Sequence, residues 1–312
     1  MDCATPAPWW IRLRHACERR SAALDATSRG LLWSAAAGLV FVLLNTLMRA
    51  LALTMDPFQA QFLRYLFGML VLLPLVARAG LAAFRPKNIR GQFTRGALHT
   101  LGLMLWFAAL PRISLADMTA IGFTGPIFIM LGAWLFFREP MRWERWVAAA
   151  LGLVGVLIVV APKMTGAGGI WQLVMLASAP VFAASFLMTK ALTRYETARV
   201  IVMWQAISVT LLSLPLGLMN WQAPTAGQWF GFAVCGLLGS GAHYCLTRSY
   251  LVADISATQS VKFLDLVWAG FAGWVVFSET PARSTLIGGA VICASTIWIA
   301  RREARRNASV AA

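Results

Sequence analysis

The chain predicts an all-α polytopic membrane protein of ten transmembrane helices, built as two inverted five-helix repeats. Composition is the first observation. Of 312 residues, 59% are hydrophobic and only 12% are charged, about half the charge of a soluble domain. The second is length. The apolar runs approach or exceed the ~20 residues needed to span hydrocarbon, and they lack the period-2 alternation of a membrane barrel. The third is an internal repeat. The stretch RISLADMTAIGFTGPIFIMLGAWLFFREP at 112–140 answers VADISATQSVKFLDLVWAGFAGWVVFSETP at 252–281. Without a gap, Gly96 pairs with Gly236, Leu98 with Leu238, Trp134 with Trp274, Phe137 with Phe277 and Glu139 with Glu279. Duplicated halves are a common construction of secondary transporters.

The spans follow in order. The first, roughly 31–53, carries Asn45 and Arg49. The second, 58–77, opens after the turn Asp56-Pro57 and holds Arg64 in QFLRYLF. The third, 92–110, holds His99 and Trp106 and stops at Pro111. The fourth, 115–137, contains Gly125-Pro126 and ends on the F-x-E of Phe137 and Glu139. The fifth, 143–161, begins on interfacial Trp143 and Trp146 and stops at Pro162. The sixth and seventh are 169–189 and 197–219, the latter with Trp204. The eighth, 227–250, follows Pro224 and carries His243 and Tyr244. The ninth, 254–277, places Gln259, Lys262, Asp265 and Trp268 at helical spacing on one face. The tenth, 283–300, runs into a basic tail.

Charge placement orients these spans. With the N-terminus inside, the cytoplasmic segments collect Arg12, Arg14, Arg19, Arg20 and Arg29, then Arg78, Arg85, Lys87, Arg90 and Arg95. They also collect Arg138, Arg142, Arg145, Lys190, Arg194, Arg199, Arg248 and the C-terminal arginines, against Arg112, Lys163 and Arg283 outside. This bias predicts both termini in the cytoplasm. Five spans per half then turn the second half upside down. It also explains the net charge of +15 without nucleic acid, since no contiguous basic face carries interleaved aromatics. The chain divides into a basic tail at 1–29, a first repeat at 30–162, a second at 163–300 and a basic tail at 301–312. The first tail either lies on the anionic inner leaflet or is a disordered topology signal. It lacks the apolar core of a signal peptide, so it is expected to be retained. The five cysteines form no CxxC pair and suggest neither a disulfide framework nor a metal site.

These features resemble the EamA family of the drug/metabolite transporter superfamily. The string ADMTAIGFTGPIFIMLGAWLFFREPMRWERWVAAALGLVGVLIV (116–159) is similar to the end of the family's first repeat, and GFAGWVVFSETP (270–281) to its counterpart. The resemblance implies a multi-pass secondary transporter of the bacterial inner membrane, not an enzyme, with no cofactor. The absence of GxxxxGK[ST] agrees. Family members export amino acids and drugs, or import metabolites such as riboflavin and S-adenosylmethionine. The family commonly has an arginine near Arg64. A lysine in Ser260-Val261-Lys262-Phe263 departs from its usual Pro-aromatic-polar-Tyr stretch.

Ionisable groups inside spans are costly and mark cavities or one another. Lys262 and Asp265 either bind a polar substrate group and relay a proton, or form a mutual salt bridge. Arg64 suits a bidentate carboxylate, or snorkels to the interface. Gln259, Asn45, His243, Tyr244, Trp106 and Trp268 complete the substrate-binding candidates, each with helix packing as its alternative. Gly125 and Pro126 are hinge candidates, because Pro frees a backbone carbonyl. Glu139 and Glu279 are read as gate or turn residues. Ala148-x-x-x-Gly152 and Gly289-x-x-x-Cys293 suit close packing, within the bundle or in a homodimer. The expected function is export of amino-acid-like compounds or drugs by alternating access, coupled to protons or to exchange. Import of a larger metabolite is the second reading and a non-transporting scaffold the third. The expected partners are a small-molecule substrate and the bilayer.

Overall fold

The computed structural model is all-helical and describes residues 25–52, 54–109, 112, 121–140, 142–161, 169–277 and 283–311. The N-terminal tail to residue 24, the start of the fourth span and Glu279 lie outside the described residues. Eight helices match the first eight predicted spans: α1 (Ala26–Ala52), α2 (Pro57–Ala79), α3 (Ile89–Ala109), α4 (Gly125–Phe137), α5 (Trp143–Val160), α6 (Ile170–Leu192), α7 (Ala198–Met219) and α8 (Ala226–Val252). The ninth span is two helices, α9 (Ile255–Lys262) and α10 (Leu264–Phe277), and the tenth is α11 (Arg283–Ala311). Among the described residues, α1, α2, α6, α7 and α8 are long and apolar enough to cross a membrane.

Helix ends follow local chemistry. Asp56 accepts from the N–H groups of Phe58 (2.9 Å) and Gln59 (3.1 Å), and Pro57 opens α2. Thr225 and Gln228 form a reciprocal capping box on α8. In the F-x-E ending of the first repeat, Arg138 takes a left-handed conformation at φ 53, which terminates α4 and turns Glu139 back toward the bundle.

The molecule is polar inside and apolar outside. Arg95, His99, Gln205, His243 and Gln259 are buried, whereas Phe136, Phe230, Leu237 and Leu286 are well exposed. That arrangement suits hydrocarbon as the surrounding solvent, where buried polar groups need internal partners.

The two halves interleave. α1 packs on α8 and α3 on α6; α2 packs on α8 and α3 on α7; α10 packs on α1 and α4 on α6. Each of these pairs of contacts is the image of the other when the halves are exchanged. α2 on α7 and α5 on α11 are their own images. Gly96 and Gly236, matched in the sequence, explain themselves here. A Cβ on Gly96 would strike the Ser208 side chain, and one on Gly236 would come within 2.5–2.7 Å of the Phe67–Gly68 backbone. The repeats at 30–162 and 163–300 therefore share one core, and neither is a separate body. The small-residue stripes are used inside this bundle. Ser295 Oγ donates to Ala148 O at 2.9 Å, and a Cβ on Gly152 would meet the Phe263 ring at 2.5 Å.

Arg95, expected among the cytoplasmic loop charges, lies instead inside α3 and is only 1% exposed. Arg145 is buried as well, and Lys190 is half-buried with Nζ donating to Tyr250 O and Ala253 O. The polar first turns of α3 and α5 read as loops, but the bundle covers them.

Candidate functional site

A polar cleft lies between α2, α7 and α8, lined by Arg64, Tyr65, Gln205, Gly239, Ser240 and His243 among others. Its cavity volume is about 20 Å³, room for little more than water and far below the ~300–1,000 Å³ that engulfs a drug-sized ligand. Tyr65 and Gln205 are repeat equivalents, one from each half. The Tyr65 hydroxyl meets His99 Nε2 at 2.8 Å, and Gln205 Nε2 meets His243 Nε2 at 3.3 Å. His99 and His243 are offset by one turn from strict equivalence. Since i and i+4 share a helical face, their rings still come together, with centroids 5.4 Å apart.

Arg95 closes the far side of this network. It donates to Thr189 Oγ1 (2.5 Å), Ile201 O (3.1 Å) and Gln205 Oε1 (2.5 Å). All three partners are neutral, so the guanidinium's charge reaches the cleft uncancelled by its own contacts. Arg64 holds its guanidinium 4.8 Å from the centroid of the Tyr65 ring, and its buried Nε has no partner. Arg64 thus lines the cleft.

Lys262 and Asp265 sit beside the cleft, joined through Phe41. Lys262 Nζ is 3.3 Å from Asp265 Oδ2 and 5.2 Å from the centroid of the Phe41 ring. Phe41 in turn packs edge-on against His243 at 5.0 Å. Gly38 leaves room for the Asp265 carboxylate, which a Cβ there would strike. The helix breaks between the two charges, at Phe263. Its repeat equivalent Phe123 lies in the turn just before α4, and the two rings stack at 5.7 Å and 16°. Both halves are therefore interrupted at one repeat position. Only the first half signals it, through Gly125-Pro126, where Pro126 starts α4.

The break corrects the expected single face through the ninth span. Gln259 belongs to α9, is fully buried and turns its amide onto Ile255 O at 2.8 Å. Lys262 is close enough to the break to reach across it, and Gln259 is a turn too early. Trp268 lies one turn past Asp265 and has a buried Nε1 without a partner. Tyr244 packs against Trp33 at 6.3 Å. Trp106 packs against Phe107 at 4.9 Å, and Asn45 is exposed. None of these last three lines the cleft.

A second cluster ties the halves together at one end of the bundle. Glu139 accepts from Ile255 N (3.1 Å), Ser256 N (3.1 Å) and Ser256 Oγ (2.5 Å), so the first half's carboxylate caps α9 of the second. Arg145 Nη1 donates to Ser256 Oγ at 2.6 Å, and Nη2 pairs with Asp254 at 3.1 Å. Glu139 is thus a turn residue that also clasps the other repeat.

The residues missed in the sequence are Tyr65, Gln205 and Ser240. Gln205 had a signal, since a lone amide in an apolar span needs a partner.

Comparison with known proteins follows this geometry. The profile of the EamA-like transporter family matches residues 28–161 and again 169–301. A riboflavin transporter of Rhizobium johnstonii is 36% identical over 282 residues, covering 89% of this chain and 93% of that protein. An S-adenosylmethionine uptake transporter of Rickettsia prowazekii is 25% identical, covering 92% and 97%. A crystal structure aligns with a TM-score of 0.75 at 18% identity, over 90% of this chain and 98% of its own, which speaks to the fold alone. With one match to each half of a helical membrane bundle, this chain belongs to the EamA-like transporter family.

Proposed function

We propose that the chain is a ten-span inner-membrane carrier of a flavin-like metabolite, with riboflavin the first substrate to test. Its halves are inverted, its termini cytoplasmic, and it works by alternating access. The observation that carries this reading is the central cleft. It offers hydrogen-bond donors and aromatic faces to a planar, carbonyl-bearing molecule, in a chain similar to a riboflavin transporter. Its electrostatics weigh against S-adenosylmethionine, whose sulfonium is a cation. Arg64, Arg95 and Lys262 surround the cleft, and the nearby carboxylate of Asp265 is tied to Lys262. Like charges repel strongly away from bulk water. Both the size of the relative's substrate and this charge favour the larger-metabolite reading over export of amino-acid-like compounds.

Arg64, His243 and Lys262 are the contacts we assign to the substrate, with Trp268 as a stacking face and Asp265 holding Lys262. The cleft must widen to admit a flavin. A rigid rocking of one repeat against the other would have to part α1 from α8 and α3 from α6. The moving units are instead helices drawn from both halves, bending at the paired breaks of Phe123 and Phe263. Glu139 then acts as a clasp released when its end opens.

The test is uptake of radiolabelled riboflavin by proteoliposomes holding the purified protein. Saturable uptake, competed by unlabelled riboflavin and not by S-adenosylmethionine, is expected. Competition by S-adenosylmethionine alone would overturn the flavin reading. Absence of flux for every substrate, with the fold intact, would favour a scaffold.

A further inference from the structure

We infer that His243 presents Nδ1–H as an unfilled donor for an acceptor oxygen of the substrate, and that Arg95, acting through Gln205, is the positioning residue that fixes it there. The inference rests on the cleft being the substrate site and adds how that site reads its ligand.

The argument follows the hydrogens along three side chains. A guanidinium has donors and no lone pair to offer. The Gln205 atom that faces Arg95 at 2.5 Å must therefore be its carbonyl oxygen. That orientation leaves the amide NH₂ toward His243, whose Nε2 lies 3.3 Å away. An NH₂ group can only donate, so His243 Nε2 must carry a lone pair. An imidazolium is excluded for the same reason, since two donors would face each other. The one remaining ring proton sits on Nδ1. His243 is 4% exposed, lines the cleft, and its Nδ1 has no hydrogen-bond partner.

A buried donor without an acceptor is costly, and such groups persist where a ligand supplies the acceptor. Arg64 Nε, in the same cleft, is a second buried donor without a partner. The two together suit a carbonyl or carboxylate oxygen. The sister histidine is different: His99 has Tyr65 at Nε2 and Ser185 at Nδ1 (3.4 Å). The bundle closes one imidazole of the pair with its own side chains and leaves the other open.

The chain has three histidines, His15, His99 and His243, so ¹⁵N-imidazole NMR of histidine-labelled protein in nanodiscs can resolve the state of each. The His243 signals are assigned by their loss in His243→Asn. In the wild type, Nδ1 is expected protonated and Nε2 bare, and riboflavin should shift Nδ1 more than Nε2. An Nε2–H tautomer or an imidazolium would overturn the inference, whether or not riboflavin binds. Gln205→Leu should abolish the tautomer preference; if that variant does not fold, the wild-type spectrum still decides. Riboflavin affinity, read by flavin fluorescence quenching, should stay within about threefold in His243→Asn, which retains an N–H near Nδ1, and fall about tenfold in His243→Phe. Unchanged affinity in His243→Phe would remove the ligand contact. A wild type that shows the Nδ1–H tautomer yet does not bind riboflavin would overturn the choice of substrate and uphold the donor assignment.

Discussion

The central cleft and the Glu139 clasp use similar residues to opposite ends. At the clasp, the carboxylate of Glu139 meets three donors, and Arg145 bridges Ser256 and Asp254. In the cleft, Arg64 and His243 keep buried donors without acceptors. Buried polar groups are normally satisfied. A region that satisfies its groups holds two parts together, and one that leaves them open is built to meet something from outside. The comparison teaches that residue type alone does not mark a binding site in this bundle; an unfilled buried donor points to one where its residue also lines a cleft, as Arg64 and His243 do.

The largest expected effect breaks the clasp. Glu139→Ala removes the cap from α9 and strands Ser256 and two backbone donors, a loss of about 3 kcal/mol. Unfolding monitored by tryptophan fluorescence in detergent reads it. Unchanged stability would make the clasp an ornament and dissolve the comparison. Arg64→Ala comes next and should behave in reverse. Riboflavin uptake should fall about tenfold or more, while stability moves by less than about 1 kcal/mol. A large stability loss there would make Arg64 structural. The smallest effect sharpens the boundary between the two regions. Lys262 and Asp265 are each about a fifth exposed, so a double-mutant cycle of Lys262→Met and Asp265→Asn should give a stability coupling of about 0.5–1 kcal/mol. Uptake that survives both substitutions would leave the pair as a local tie with no part in transport.

Much of the fold was legible because membrane spans write themselves as length and hydropathy. The repeat register paired Gly96 with Gly236 in the sequence, while the close helix crossings at both were visible only in the packing. The break at Phe263 was not legible. Gly-Pro announces its counterpart in the first half, while Val261-Lys262-Phe263-Leu264 carries no breaker residue; packing against Phe123 and Gly152 imposes it. Lys262, Asp265, Arg64 and His243 stood out as polar groups in apolar runs. Tyr65 did not, because a tyrosine in a span resembles any other aromatic until its hydroxyl is seen on His99. Arg95 was misplaced for a different reason. It ends a basic stretch, and only tertiary burial separates it from the loop arginines before it.

The interleaving of the halves also sets an order of events during synthesis. Gly30 O accepts from Ser249 Oγ, and Thr258 O accepts from Ser34 Oγ, contacts that join positions 219 and 224 residues apart. Helix α1 therefore waits, its packing face uncovered, until α8 and α9 have been made. Contacts this distant along the chain form late, and the early helices are exposed to wrong partners meanwhile. A nascent chain halted after the first repeat would be inserted without being assembled, and it would be the form that quality-control proteases meet first.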